Sequence, residues 1–438
     1  MAGAFEKKSK GGFPFGSILL IVLGVAVLVF GVTRYRAALQ PRLEEPETVL
    51  QTAVAEPEPT PVSEPEPAPQ PPEPKQLEVT TVEPEPEPTP EPEPEPVAAQ
   101  PAEMRVTLMA VGDNLIHNTV YWSAEQPDGS YDFTPMYADI KPFVSSYDIA
   151  CINQETIFVK NPAEYGNYPR FGSPTAVGDA LVDAGFDVIE HATNHCYDKL
   201  DTGIGDSLSF WRETHPEITV LGIHDSQQDA DTVRVVEKNG VKIAFLNYTY
   251  GLNYQMPANA FTVDQLKEDK VNADVLKAKE LADFVIVFVH WGTEDSFTPD
   301  DNQKHWAQFF ADRNVDAVIG AHSHLLQPLD TLTRQDGGAM PVFYSLGNFL
   351  SHQMSADNML GGLASMTLVK RSDGGNTVEN VQVLPVVNFL SKREGTWWSY
   401  RMMLLRDYTQ DMAKVHRFPE ATVEYLWKLF EEHSVMPK

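Results

Sequence analysis

From Met104 onward the chain reads as a mixed α/β domain, and three features of the sequence lead there. Short apolar runs of strand length recur, and several end in an acidic, amide or imidazole residue. Amphipathic stretches of helical period separate the first of these runs, as in strand–helix–strand units with a partly parallel sheet. Later in the domain strands follow one another without helices, which implies antiparallel additions to that sheet.

The segment before Met104 has another character. Residues 1–12 carry Lys7, Lys8 and Lys10 and are expected to be a cytoplasmic N-terminus. Residues 13–33 are uncharged and apolar, long enough for one transmembrane helix, which needs about 20 residues. No clean cleavage-site pattern follows before Arg34 and Arg36, so this span reads as a retained signal anchor. Residues 34–103 are rich in Glu-Pro pairs, too polar and self-repelling to build a core, and read as a disordered linker. Positive charge is similar on both sides of the span, so orientation rests on the linker. A long extended tether suits a domain held away from the outer membrane face. The expected location is the cell membrane, single-pass, with the C-terminal domain extracytoplasmic.

Lys and Arg number 33 against 62 Asp and Glu, for a formal charge of −29, and roughly half of that imbalance lies in the linker. Nucleic acid is a poor partner for such a chain, because binding it requires basic surface. Cys151 and Cys196 are the only cysteines. They make no disulfide framework, and two buried free thiols are expected, with a single bridge as the alternative.

Within the domain, 106–111 is a strand ending at Gly112-Asp113, and 148–152 is a second, ending at Asn153-Gln154-Glu155. A helix is predicted between them over 135–146. A helix at 175–184 leads to a strand at 187–189 that ends near Asn194-His195, and a further helix covers 205–213. Strands follow at 219–221, 232–237 and 241–247, the last two a hairpin around Asn239-Gly240. A helix over 263–281 precedes the strand 283–289, which delivers His290-Trp291-Gly292. A helix at 305–313 leads to the run Asp316–Gly320 and then His322-Ser323-His324. Strands at 342–349, 364–370 and 378–386 complete the domain, placed at 104–390. Residues 391–438 are expected to be a helical extension, with a closing helix over 421–433 and Trp397-Trp398 in the core, a membrane-facing pair being the alternative.

The chemistry-bearing residues share one context. Asp113, Glu155, Asn194-His195, His290 and His322/His324 each follow an apolar strand run. In open α/β sheets the crevice beyond the strand carboxyl ends is where ligands bind. Carboxylate, carboxamide and imidazole together, with no thiolate among them, suit manganese, iron or zinc as a divalent cofactor. The set is large enough for one or two ions, and two ions sharing a carboxylate can stabilise attacking and leaving oxygens together.

These motifs carry a resemblance. Gly112-Asp113-Asn114-Leu115-Ile116-His117, Asn153-Gln154-Glu155, Ala192-Thr193-Asn194-His195 with Asp198, His290-Trp291-Gly292-Thr293-Glu294, Gly320-Ala321-His322-Ser323-His324 and Tyr344–Phe349 resemble the successive motifs of the CapA family of capsule or poly-γ-glutamate synthesis proteins. The resemblance runs from about Met104 to Val387. It implies a metallophosphatase-like, four-layer sandwich: two mixed β-sheets flanked by helices. It also implies that Asp113 and His324 bind one ion, that Asn194, His290 and His322 bind a second, and that Glu155 bridges them. His195 would be the catalytic acid or the histidine on the phosphate side. The first motif departs from the superfamily's Asp-x-His, since the nearest imidazole is His117. That residue would be a ligand reached by another turn, or a proton donor.

Smaller expectations concern four residues. Arg170 would bind an anionic substrate group in two-pronged fashion, or be a loop arginine. Asn348 would line the substrate site, or be a turn asparagine. Glu294 would orient His290 from behind, or cap a turn. Asp198 would cap or orient the segment after His195. The implied function is a metal-dependent hydrolase or transferase acting on an anionic cell-envelope polymer such as poly-γ-glutamate. A non-catalytic subunit anchoring a membrane polymer synthase or export complex, and a surface metallophosphodiesterase, are the alternatives.

Overall fold

The computed structural model describes residues 103–392 and 398–436. The expected cytoplasmic segment, transmembrane anchor and linker lie outside the described residues, as does Trp397. Among the described residues no helix is long and apolar enough to cross a membrane.

Strand β1 (Glu103–Asn114) explains the layering. Successive side chains point to opposite faces, so Val106, Leu108 and Ala110 enter one buried cluster while Met109 and Val111 enter another. A strand apolar on both faces must be covered on both. β2 (Ile149–Asn153) pairs with it in parallel. Helix α1 (Asn118–Ala124) lies between them in sequence. β3 (Phe158–Val159) and β4 (Ser173–Pro174) form a separate pair. β5 (Val188–Glu190) and β6 (Thr219–Leu221) extend the parallel run, preceded by helices α2 (Ala176–Ala184) and α3 (Leu200–Thr214) respectively.

The second sheet begins with the hairpin β7 (Arg234–Lys238) and β8 (Val241–Thr249). Helix α4 (Glu268–Leu281), β9 (Phe284–His290), helix α5 (Asp301–Ala311) and β10 (Ala317–Ala321) follow. β8, β9 and β10 are parallel. β11 (Leu329–Thr333) and β12 (Ala339–Phe343) finish this sheet, in the order β11-β12-β10-β9-β8-β7. The chain then returns to the first sheet. β13 (Asn348–Leu350) pairs with β1 in parallel, while β14 (Leu360–Arg371), β15 (Thr377–Ser391) and β16 (Ser399–Leu404) add antiparallel strands. Helix α6 (Val423–His433) closes the domain.

Between the sheets, Leu108 and Ala110 pack in one cluster with Ile243, Phe245, Ile286 and Phe288. Outside the first sheet, Leu181, Trp211, Leu426 and Leu429 of the helices join Met109 and Val111. Outside the second, Val271, Val275, Trp306 and Phe310 cover Val285, Val287 and Val318. The result is four layers: helix, mixed sheet, mixed sheet, helix. Both cysteines are free and buried.

Several element expectations need correction. The helix predicted over 135–146 is two separate turns, Thr134–Tyr137 and Lys141–Val144. Pro142 sits in the first turn of the second piece, where its missing N–H costs nothing; mid-helix it would have clashed with the preceding turn. α4 begins at Glu268 and not at 263, because Val263 and Gln265 bridge to Ile223 and Thr249. α5 begins earlier than predicted, at Asp301, where Asp300 and Gln303 form a capping box. The tail is not purely helical, since it starts with β16 as a strand on β15. Trp398 is half-buried against the first core cluster, with the Arg417 guanidinium 4.4 Å above its ring.

Candidate metal centre

The carboxyl ends of the parallel strands in both sheets meet at one edge, and the expected donors converge there. Asp113 closes β1, Glu155 follows β2, and Asn194 follows β5. His290 ends β9, and His322 and His324 follow β10. All six are at most 4% exposed. Local backbone makes this possible. A Cβ on Gly112 would lie 1.9 Å from the Gly347 carbonyl, so only glycine lets β1 approach the segment whose carbonyl accepts the Asp113 amide at 2.9 Å. His322 and His324 have φ of +98° and +59°, left-handed conformations that cost on the order of 1–3 kcal/mol each for a residue with a side chain. That strain brings both rings to the same place, with centroids 5.9 Å apart.

Two donor groups share one residue. Asp113, Glu155 and His324 offer ligand atoms within 4.8 Å of one another, and so do Glu155, His290 and His322. Glu155 is thus placed to serve two positions. Both its oxygens are buried without a hydrogen-bond partner, and the nearest imidazole nitrogens are 3.8 Å (His290) and 3.9 Å (His324) away, too far to bond. The Asn194 Nδ2 is likewise buried and unpartnered, while its Oδ1 lies 2.9 Å from His290 Nε2. An orphaned buried carboxylate costs several kcal/mol. A divalent cation satisfies it, so the residues fit such an ion.

The electrostatics agree. Burial pushes the Glu155 carboxyl well above its ordinary range, with Asp113 and Glu294 adding to the push and His324 opposing it. Burial, reinforced by neighbouring histidines, holds His290 and His322 well below theirs. Those two rings are neutral, the form that lends a lone pair to a metal. Burial also acts to lower His324, but the Glu155 and Asp113 carboxylates win and raise it to about 10. Its Nδ1 lies 3.0 Å from Asp113 Oδ2.

The other expected residues fall in different places. His195 lies at the edge of the cluster, with Nδ1 2.7 Å from Asp198 Oδ2 and Nε2 3.2 Å from Asn253 Nδ2. Asp198 therefore stands behind His195, and the same oxygen accepts the Phe171 amide at 2.8 Å. Arg170 donates through Nε and Nη2 to the Asp198 carbonyl and stacks 3.9 Å from the Tyr254 ring. His117 is not brought into any donor group. Its Nδ1 accepts the His352 amide at 3.1 Å, and Phe171 packs edge-on against both His117 and His195. Burial pushes His117 down to about 3, so its ring is neutral. Asn348, expected to touch substrate, is fully enclosed and donates to Gln353 Oε1 at 2.7 Å. It backs the centre beside Asp113, its partner in the β1–β13 register.

Glu294 does not orient His290. That ring is held by Asn153, whose amide lies 3.3 Å from Nδ1, and by Asn194. Asn153 was missed, although it stands in the Asn153-Gln154-Glu155 motif; strand parity puts it opposite Asp113, to which it donates at 2.7 Å. Tyr250, whose ring lies 4.6 Å from that of His322, and Asn253 were also missed. The signal for them was weak, a polar loop after β8.

Comparison with known proteins gives a family and relatives. The family model "Bacterial capsule synthesis protein PGA_cap" matches residues 107–353. "Capsule biosynthesis protein CapA" of Bacillus anthracis is 26% identical over 262 residues, covering 57% of this chain and 60% of that protein. "PGA biosynthesis protein CapA" of Bacillus subtilis (strain 168) is 29% identical over 206 residues, covering 46% of this chain and 52% of that protein. The match spans little more than half the length of these relatives. Among solved structures, a hypothetical protein from Thermus thermophilus aligns at a TM-score of 0.40 and 14% identity, over 67% of this chain and 99% of that one. The Haemophilus influenzae NAD nucleotidase (NadN) aligns at 0.41 and 11%, over 76% and 64%.

Proposed function

The chain belongs to the bacterial capsule synthesis protein family, and from that premise we propose that it is a metal-dependent hydrolase or transferase acting on an anionic capsule polymer such as poly-γ-glutamate. In this reading residues 13–33 anchor it in the cell membrane and the linker holds the domain outside, where the polymer emerges from its synthase or export partners. One observation carries the catalytic part. Glu155 is fully buried with both oxygens unpartnered, between two histidine-containing groups that share it. A pure scaffold has no reason to sustain that cost.

Divalent ions held by Asp113, Glu155, Asn194, His290, His322 and His324 would supply positive charge to polarise a carbonyl or phosphoryl oxygen. The chain does the rest. Asp198 fixes the His195 ring with its proton on Nδ1, so Nε2, which faces the Asn253 amide at 3.2 Å, is the nitrogen that would take or return a proton. Arg170, anchored through Nε and Nη2, keeps Nη1 for a carboxylate on the polymer, and Tyr254 holds the guanidinium flat.

The test compares the purified protein with its His322→Ala variant. Wild type should retain divalent metal by elemental analysis and gain thermal stability when manganese or zinc is added. His322→Ala should lose the metal together with turnover of a γ-glutamyl polymer. Wild-type protein that neither holds nor responds to metal overturns the catalytic reading. Polymer processing that survives in the variant points to the anchoring subunit, and faster turnover of a simple phosphodiester than of the polymer points to the phosphodiesterase.

A further inference from the structure

A third donor group lies on the open side of the centre. The Glu294 carboxylate and the imidazoles of His322 and His324 offer ligand atoms within 4.8 Å of one another. Glu294 is the one exposed residue in the three groups; every other member is buried. Its position is built and not incidental. It stands in a loop entered through Gly292, at a φ of +96°, and left through Asp295, at +56°. A Cβ on Gly292 would meet the Gln303 side chain at 2.6 Å, so the loop presses close against α5. The Asp295 amide donates to the Ser323 carbonyl at 2.9 Å, tying the loop to the turn that carries both histidines. Glu294 is thereby held over His322 and His324, while His290 is oriented by Asn153 and Asn194.

We propose that Glu294 is a further ligand of this metal centre, reaching a divalent cation from the solvent side, where its carboxylate stands beside His322 and His324. The assignment rests on the reading of this cluster as a metal centre. A hard carboxylate with two borderline imidazoles suits manganese, iron or zinc. The deep donors bring two carboxylates, Asp113 and Glu155. A third anion on the open side brings the charge of the set nearer to that of two divalent ions. It also makes up for the first-motif histidine, since His117 is turned to the His352 amide and outside every donor group.

Metal-depleted full-length protein titrated with Mn²⁺ by calorimetry tests this, alongside Glu294→Gln and Glu294→Asp. Gln keeps the shape and removes the charge, and one binding step should weaken at least 10-fold; Asp should recover part of that loss. With Co²⁺ in place of Mn²⁺, the visible absorption of Glu294→Gln should differ from wild type as the coordination changes. Because Glu294 is exposed, both variants should melt like wild type without metal. Wild-type affinity and an unchanged cobalt spectrum in Glu294→Gln overturn the assignment while leaving the metal centre standing. A wild-type protein that binds no Mn²⁺ sinks both.

Discussion

Glu155 concentrates the energetics of the centre. Its carboxyl is raised by burial above the unfolded value, so the folded, metal-free protein binds the extra proton and loses stability as pH rises from the ordinary carboxylate range. Glu155→Gln removes that penalty. At pH 7.5 without metal the variant should be more stable than wild type by on the order of 1–3 kcal/mol, read by denaturant unfolding. With manganese the order should reverse, because only wild type gains the binding free energy. A variant that is less stable in both conditions would contradict this account. The convergence of the six buried side chains was legible in the sequence because each stands at or just after the end of an apolar strand, and strand ends are where an α/β edge opens. His117 was not legible. Leu115 donates to Leu350 at 2.8 Å, which carries the chain after β1 toward β13 and delivers His117 to the amide of His352, 235 residues away. No local spacing records that. Glu294 was seen as a partner of His290, four residues before it; the left-handed turn at Gly292 redirects it to the other two histidines.

At the scale of elements, the segment before α4 shows how a buried charge pair reshapes a boundary. His224 is 5% exposed, with Nε2 2.8 Å from Asp264 Oδ2 and Nδ1 3.4 Å from Asp229 Oδ2. Burial acts to lower it, but the two aspartates prevail and raise it to about 9. A histidine raised in the fold contributes stability that is complete below its unfolded value near 6.5 and is lost as pH climbs through the folded value. His224→Gln should therefore cost on the order of 3 kcal/mol at pH 6 and far less at pH 9.5, measured by thermal unfolding of both proteins. An equal cost at both values would mean packing and not charge. Asp264 and Gln265 are extended because they hold His224 and bridge to β8, which is why the helical pattern seen from 263 starts only at Glu268. The capping pair Asp300 and Gln303 was readable but overlooked. β16 was hidden by composition: Tyr400, Met402 and Leu404 alternate into the core, yet methionine and leucine equally favour helix.

The whole molecule is larger than its family match, which ends at residue 353. Met402, Met403 and Leu404 of β16 and Leu426 and Leu429 of α6 are all buried in the cluster that covers the first sheet. At about 1.5–3 kcal/mol each, their removal takes away an amount comparable to the 5–15 kcal/mol that keeps a typical domain folded. A chain truncated after Lys392 should fail to show a cooperative unfolding transition by circular dichroism. If it unfolds cooperatively near the wild-type midpoint, the tail is dispensable to the fold. The mixed α/β class was legible from strand–helix alternation and the four-layer order only through the motif resemblance, whereas the tail's part in the first sheet was not, since it depends on pairing with β15.

The donors are divided between the two sheets: Asp113, Glu155 and Asn194 follow strands of one, His290, His322 and His324 follow strands of the other. Elsewhere the sheets meet mainly through an apolar layer, whose contacts are non-directional, with a few directional bonds such as that from Lys370 Nζ to Asp283 Oδ2 at 2.8 Å. An ion seated at Glu155 would act as a rivet through two plates at the edge where chemistry is proposed. The alignment of one sheet over the other then becomes a property of the bound ion as much as of the polypeptide.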